Sequence, residues 1–333
     1  GHDASLRLFA VLGVVGAMVL AGLVLMDDPV DAADVGMQFT VGDLTYEVTA
    51  VGEVEVVGPV SEDISGDLVI PGSVSDGTDA YAVKTIGNGA FTDCSGLTSV
   101  VIPEGVTYIG YVAFQSCSNL TSVEIPSTVE RIGVSAFSFC SKLQSVNFPD
   151  GLLSIYEYAF RDCTGLTSIS IPESVTLIEG HAFSGCSNVR ELILSPGTSI
   201  YSYAFSDCTG LTSLYLPSVG LDDYTFSDCN NLVSVTFDSS WRYVYARSFT
   251  GCDSISELVF QSTDPVLFAS NVFDIEGVIE VYTPGWDPVE QMDGAYDPDT
   301  TTIVWANPIP DLVFTSSPSQ GTIAWTNRET AYT

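Results

Sequence analysis

The sequence predicts a solenoid of the α/β repeat class, mostly β, in which each 21–23-residue repeat adds one short strand to a curved parallel sheet. Three observations predict it: eight cysteines at near-constant spacing, an apolar skeleton that recurs around each of them, and an alternating apolar pair that closes each unit.

The cysteines are Cys94, Cys117, Cys140, Cys163, Cys186, Cys208, Cys229 and Cys252, separated by 23, 23, 23, 23, 22, 21 and 23 residues. Three residues before each stands a phenylalanine, from Phe91 through Phe160 to Phe249. The preceding slot holds alanine in six repeats, then Thr225 and Ser248, so it admits only small side chains and marks close packing. An aliphatic residue lies eight positions before each cysteine (Ile86 first, Val244 last) and another three after it (Leu97 first, Ile255 last). One such unit is too small to bury its own apolar face, so the units must stack.

Within a unit two periods alternate. Ala90, Phe91, Cys94 and Leu97 step by one, three and three, which predicts a short helical or 3₁₀ turn on the side away from the strand. Val100 and Ile102, matched by Val123 and Ile125, step by two, which predicts a half-buried strand. Proline follows at Pro103, Pro126, Pro149, Pro172 and Pro217, where it ends pairing without removing a needed donor. Equivalent strands that return after each turn can only pair in parallel, at about 4.8 Å per rung.

The order Leu-x-Ser-Val-x-Ile-Pro, Ile-Gly, Ala-Phe-x-x-Cys resembles the BspA-like class of leucine-rich repeats over about residues 64–282. Eight full repeats run from Ile86 to Phe260, and a degenerate copy follows at Asn271-Val272-Phe273, with Glu276 in the cysteine slot. The resemblance implies a leucine-rich-repeat solenoid and an exported surface protein associated with adhesion to host proteins or other cells.

The chain divides accordingly. Residues 1–33 read as a signal peptide or membrane anchor, 34–84 as a β-rich N-terminal cap, 85–282 as the repeats, 283–306 as a C-terminal cap, and 307–333 as a linker or the start of a further β-domain. In the first segment Leu8 to Met26 carry no charge and would span about 29 Å as a helix. Arg7 precedes this run and Asp27 and Asp28 follow it, which directs everything after Met26 out of the cytoplasm. Val30-Asp31-Ala32 supplies the small residues a signal peptidase takes, while the run exceeds a signal core of about 7–15 residues, so cleavage and retention both stay open. Contact with a membrane is expected only through this segment.

Acidic residues outnumber basic ones by 42 to 9, and the formal charge of −33 repels phosphate backbones, which excludes nucleic acid as a partner. No cofactor, metal or catalytic group is expected. The only histidines are His2 and His181, there is no Cys-x-x-Cys pair, and His181 falls in a variable surface slot unsuited to a catalytic base. The cysteines share one inward slot and read as buried free thiols, since parallel side-chain vectors fit disulfide geometry poorly. Asp287, Glu290, Asp293, Asp297 and Asp299 depart from a calcium-loop spacing and read as solvated charge. Asn119-Leu120-Thr121 is a weak glycosylation signal.

Recognition is expected on the outward strand positions. One column, Ser99, Ser122, Ser145, Ser168, Glu191, Ser213, Ser234 and Glu257, is nearly constant and reads as structural. The other begins at Val101, ends at Val259 and varies between them, which makes Glu124, Asn147, Ser170, Ile193, Tyr215 and Thr236 the candidate ligand contacts on a concave face. Tyr156, Tyr158, Tyr201, Tyr203, Tyr224, Tyr243 and Tyr245 gather elsewhere, between the strand end and the Ala-Phe turn, where they shield the flank or recognise a partner. The expected function is an extracellular protein-binding or cell-adhesion surface protein without enzymatic activity, its partner an extracellular or cell-surface protein or glycan. A structural cell-envelope component assembled through divalent cations, or the recognition module of a longer secreted hydrolase, are the alternatives.

Overall fold

The computed structural model describes residues 34–269, 271–273, 277–285, 288, 292 and 301–306. The hydrophobic run Leu8–Met26, the acidic cluster from Asp287 to Asp299 and the segment 307–333 lie outside them. Among the described residues no helix is long and apolar enough to cross a membrane.

The N-terminal residues form an antiparallel meander of Gln38–Val41, Leu44–Ala50 and Glu53–Pro59. Two-residue turns join them, and Gly42 and Gly52 supply the positive φ of 60° and 72° that such turns require. Glu53–Pro59 then pairs in parallel with Ala80–Ile86, which converts the meander into the first rung of a stack. Gly66–Val69 pairs in parallel with Leu97–Val101 and starts the second sheet in the same way.

Each central repeat contributes two short strands, where the sequence pattern predicts one. The expected strand is present, as in Leu97–Val101, Ser122–Glu124 and Ser168–Ser170. A second, two-residue strand ends on the aliphatic residue after the proline turn, as in Tyr108–Ile109, Arg131–Ile132 and Ser154–Ile155, and these pair in parallel from rung to rung. Two residues are too few to display an alternating period, so only stacking reveals them. Along the expected strands Ser99 lies opposite Ser122 and Ser122 opposite Ser145, and farther on Ser213, Ser234, Glu257 and Glu280 register in turn. The serine column is therefore one continuous row in each of these sheets.

The Ala-Phe-x-x-Cys segment carries i→i+3 hydrogen bonds, for example from Cys117 N–H to the Phe114 carbonyl at 3.2 Å, as the predicted 3₁₀ turn would. It is a run of separate turns and not a helix, because left-handed residues interrupt it at both ends: Val112 at φ 47° and Ser116 at φ 60° in one repeat, Tyr158 at 58° and Asp162 at 56° in another. These turns also bond across rungs, with Phe114 N–H donating to the Ala136 carbonyl and Phe137 N–H to the Ala159 carbonyl, both at 2.7 Å. That contact explains the alanine slot, since Ala113, Ala136, Ala159 and Ala182 are fully buried against backbone.

Inside, the phenylalanines stack face to face. Ring centroids from Phe91 to Phe205 are 5.1–5.2 Å apart, and interplanar angles stay within 9°. All eight cysteines are buried free thiols. Each from Cys117 onward donates its S–H to the phenylalanine carbonyl of the preceding rung, from Cys163 to Phe137 at 3.1 Å and from Cys252 to Phe226 at 3.0 Å. Burial pushes the Cys140 and Cys208 thiols up to about 12, so neither forms a reactive thiolate near neutral pH.

Candidate binding surfaces

The outward strand column is where a ligand would meet side chains without disturbing the core. Glu124, Asn147 and Ser170 are exposed. Ile193 and Tyr215 keep 46% and 42% of their surface in solvent, a large apolar exposure in the middle of a strand row. Glu124 and Asn147 also line an open groove of about 510 Å³, shared with Val101 and with the turns at Pro103 and Pro126. Glu104 at its rim is held by the Ser127 backbone N–H and hydroxyl, at 3.2 Å and 3.1–3.2 Å.

Thr236 departs from its expected place as a contact residue, because it is only 8% exposed. Register accounts for this: the row reads Tyr215, Thr236, Val259, Tyr282, so two tyrosines bracket two shorter side chains. Val259 is buried for the same reason, at 6%. Tyr282 lies beyond the full repeats, where the cysteine spacing that defines the column gives out, and its hydroxyl donates to Glu280 at 2.8 Å.

The flank of turns carries the tyrosines. Tyr158, His181, Tyr203 and Tyr224 form a stack with centroids 4.9, 4.8 and 4.8 Å apart. His181, read from the sequence as a surface position, is half-buried between two rings. Its pKa is lowered by burial first and by the charge of Arg161 second, with Glu157 opposing, so the imidazole is neutral at neutral pH. Tyr201, Tyr243 and Tyr245 stand more exposed, at 50%, 41% and 41%. Sequence spacing placed these residues on one flank; it could not show which of them touch.

Asn119, the glycosylation candidate, has its amide committed: Nδ2 donates to the Ser95 carbonyl at 2.7 Å and Oδ1 accepts from Lys142 Nζ at 2.7 Å. Asn188 and Asn231 make the same bond to Thr164 and Thr209, so this asparagine is a staple between rungs.

Comparison with known proteins agrees with this architecture. The family model described as BspA type Leucine rich repeat region matches six copies across residues 80–190 and 153–280. A leucine-rich repeat protein from Bacteroides ovatus has a similar fold, with a TM-score of 0.53 and 21% identity over 80% of this chain and 99% of its own. A leucine rich cell surface protein from Faecalibacterium prausnitzii is 22% identical over 83% of this chain and 97% of its own, with a TM-score of 0.36. The T. pallidum Leucine Rich Repeat protein is 23% identical over 71% of this chain and 88% of its own, with a TM-score of 0.38. No curated protein matches the sequence.

Proposed function

Because the chain belongs to the BspA-type leucine-rich-repeat family, we propose that it is an exported protein that binds an extracellular or cell-surface protein or glycan through its outward strand row, without chemistry of its own. The observation that carries this reading is the contrast between the two rows. The serine row repeats nearly unchanged, whereas the neighbouring row presents Glu124, Asn147, Ser170, Ile193 and Tyr215 in succession, exposed on fixed parallel backbone. A rigid scaffold with varied side chains at regular spacing supports selective binding. The Leu8–Met26 segment with Arg7 before it and aspartates after it supports export.

The test is a binding screen of the full chain against extracellular-matrix proteins, glycans and whole cells, with and without calcium. Saturable capture that is lost in an Asn147→Ala, Ser170→Ala, Tyr215→Ala triple variant supports the reading. Absence of a ligand together with calcium-driven assembly replaces it with a structural coat.

A further inference from the structure

Two neighbouring columns on the turn flank change character together at the fourth repeat. One holds Gly87, Gly110 and Gly133, then Tyr156, Glu179, Tyr201 and Asp222. The other holds Gly89, Val112 and Ser135, then Tyr158, His181, Tyr203 and Tyr224. In the early repeats the backbones close up: a Cβ on Gly110 or Gly133 would stand 2.7 Å from the Ile86 or Ile109 carbonyl. From the fourth repeat onward large side chains fill both columns.

Local conformation does not distinguish the two sets. Tyr158, His181, Tyr203 and Tyr224 have φ of 58°, 56°, 62° and 61°, the left-handed conformation that Gly89, Val112 and Ser135 also hold in this slot at 68°, 47° and 56°. The rings add stacking from rung to rung. What the exchange creates is a surface.

The ladder is closed at both ends by guanidinium groups of this chain. Arg161 lies 5.5 Å from the Tyr158 centroid, and Arg247, next in the column, lies 5.7 Å from that of Tyr224. The ring faces are therefore occupied. An adjoining open groove of about 480 Å³ is lined by Glu157, Glu179 and Asp222 along with His181, Tyr201 and Tyr203, and by no lysine or arginine. Glu179 is fixed by the Glu157 N–H at 3.0 Å, and Asp222 by the Ser202 hydroxyl at 2.9 Å and the Asp223 N–H at 2.9 Å. No salt bridge engages these three carboxylates among the described residues. Carboxylates without an ion-pair partner, set beside aromatic surface, complement a cation carried on an aliphatic stem.

We propose that this flank groove docks a basic segment of a protein partner, its lysine or arginine groups on Glu157, Glu179 and Asp222 and its aliphatic stems along Tyr201 and Tyr203. The site is separate from the outward strand row and stands whether or not that row binds a ligand. It also differs from the general attraction of a chain with formal charge −33 for any polycation, since it places affinity at named carboxylates.

The experiment is a fluorescence-anisotropy titration of the full chain with a labelled hexa-arginine peptide at low ionic strength. A Glu179→Gln, Asp222→Asn double variant keeps the hydrogen-bond acceptors and removes two charges. An Asp43→Asn, Glu62→Gln double variant removes two exposed charges from the N-terminal cap. The groove variant is expected to bind about tenfold more weakly and the cap variant less than about twofold more weakly. Tyr201→Ser, at an exposed position, is expected to weaken binding as well, which gives a second readout that leaves the charge unchanged. Equal losses in the two charge variants, or no saturable binding by the unsubstituted chain, overturn the proposal.

Discussion

The central and C-terminal repeats solve the same stacking problem with different parts. From Phe91 to Phe205 the rings stand 5.1–5.2 Å apart over alanines, while the outward strands are only two or three residues long from Ser122–Glu124 to Glu191–Ile193. From Phe226 to Phe273 the rings open to 5.7 and 5.6 Å, the alanine slot holds Thr225 and Ser248, and the strands lengthen, from four residues in Ser213–Leu216 to six in Gly277–Tyr282. A second aromatic pair also forms there on the strand side, Phe237 and Phe260, 4.6 Å apart. Cohesion between rungs thus moves from the turn side to the strand side along the array. The small slot permits close turns; where it is occupied by more atoms, longer ladders of backbone hydrogen bonds take over.

The largest expected effect tests what both regions share, the column of thiols. An unfolded cysteine ionises near 8.5, whereas Cys140 and Cys208 in the fold do not until about 12. Because the folded value is raised, the stabilisation is complete below about pH 8.5 and is lost as pH rises toward 12, by about 1.4 kcal/mol per pH unit for each buried thiol. Melting temperature is expected to fall steeply across that window and less steeply in a Cys140→Ala, Cys208→Ala variant. A profile identical in the two proteins would remove the thiols from the account.

Next in size is the ladder itself. Phe160→Ala is expected to cost about 3–5 kcal/mol in urea denaturation, and Phe249→Ala about 1 kcal/mol less, because Phe249 sits between wider gaps. Equal costs would show that ring spacing does not report cohesion. Overpacking gives the complementary test: Ala159→Val is expected to cost about 1–3 kcal/mol, whereas Ser248→Ala loses mainly the hydroxyl bond to the Tyr245 carbonyl, about 1 kcal/mol.

Smaller effects sharpen the outer face. If the strand row binds as proposed, Tyr215→Ser weakens capture about tenfold and Thr236→Ser, buried in the same row, less than about twofold. Ser168→Ala is expected to change stability by under about 0.5 kcal/mol. A larger loss would show that the exposed serine side chains themselves hold neighbouring rungs together.

Much of this was legible in the residues because the inward side chains repeat. The Phe91-to-Cys94 and Cys94-to-Leu97 intervals identify the core, the Val100-to-Ile102 alternation identifies the strand, and all eight thiols fall in one apolar slot. The candidate site was legible only in part. Ser170 and Thr236 share a column in the sequence, yet one is exposed and the other is buried between Tyr215 and Val259 in the strand row.

The sequence by itself determined the rung length, the inward columns, the register of the strands and the free state of the thiols, since each follows from the spacing and polarity of side chains that recur from repeat to repeat. Tertiary structure decided the second row of strands, the left-handed turns at Val112 and Tyr158, the stack through His181 and the burial of Thr236. Those features are contacts between rungs, made by residues 21–23 positions apart. A local period reports which way a side chain faces, but what it touches depends on how closely the next rung approaches.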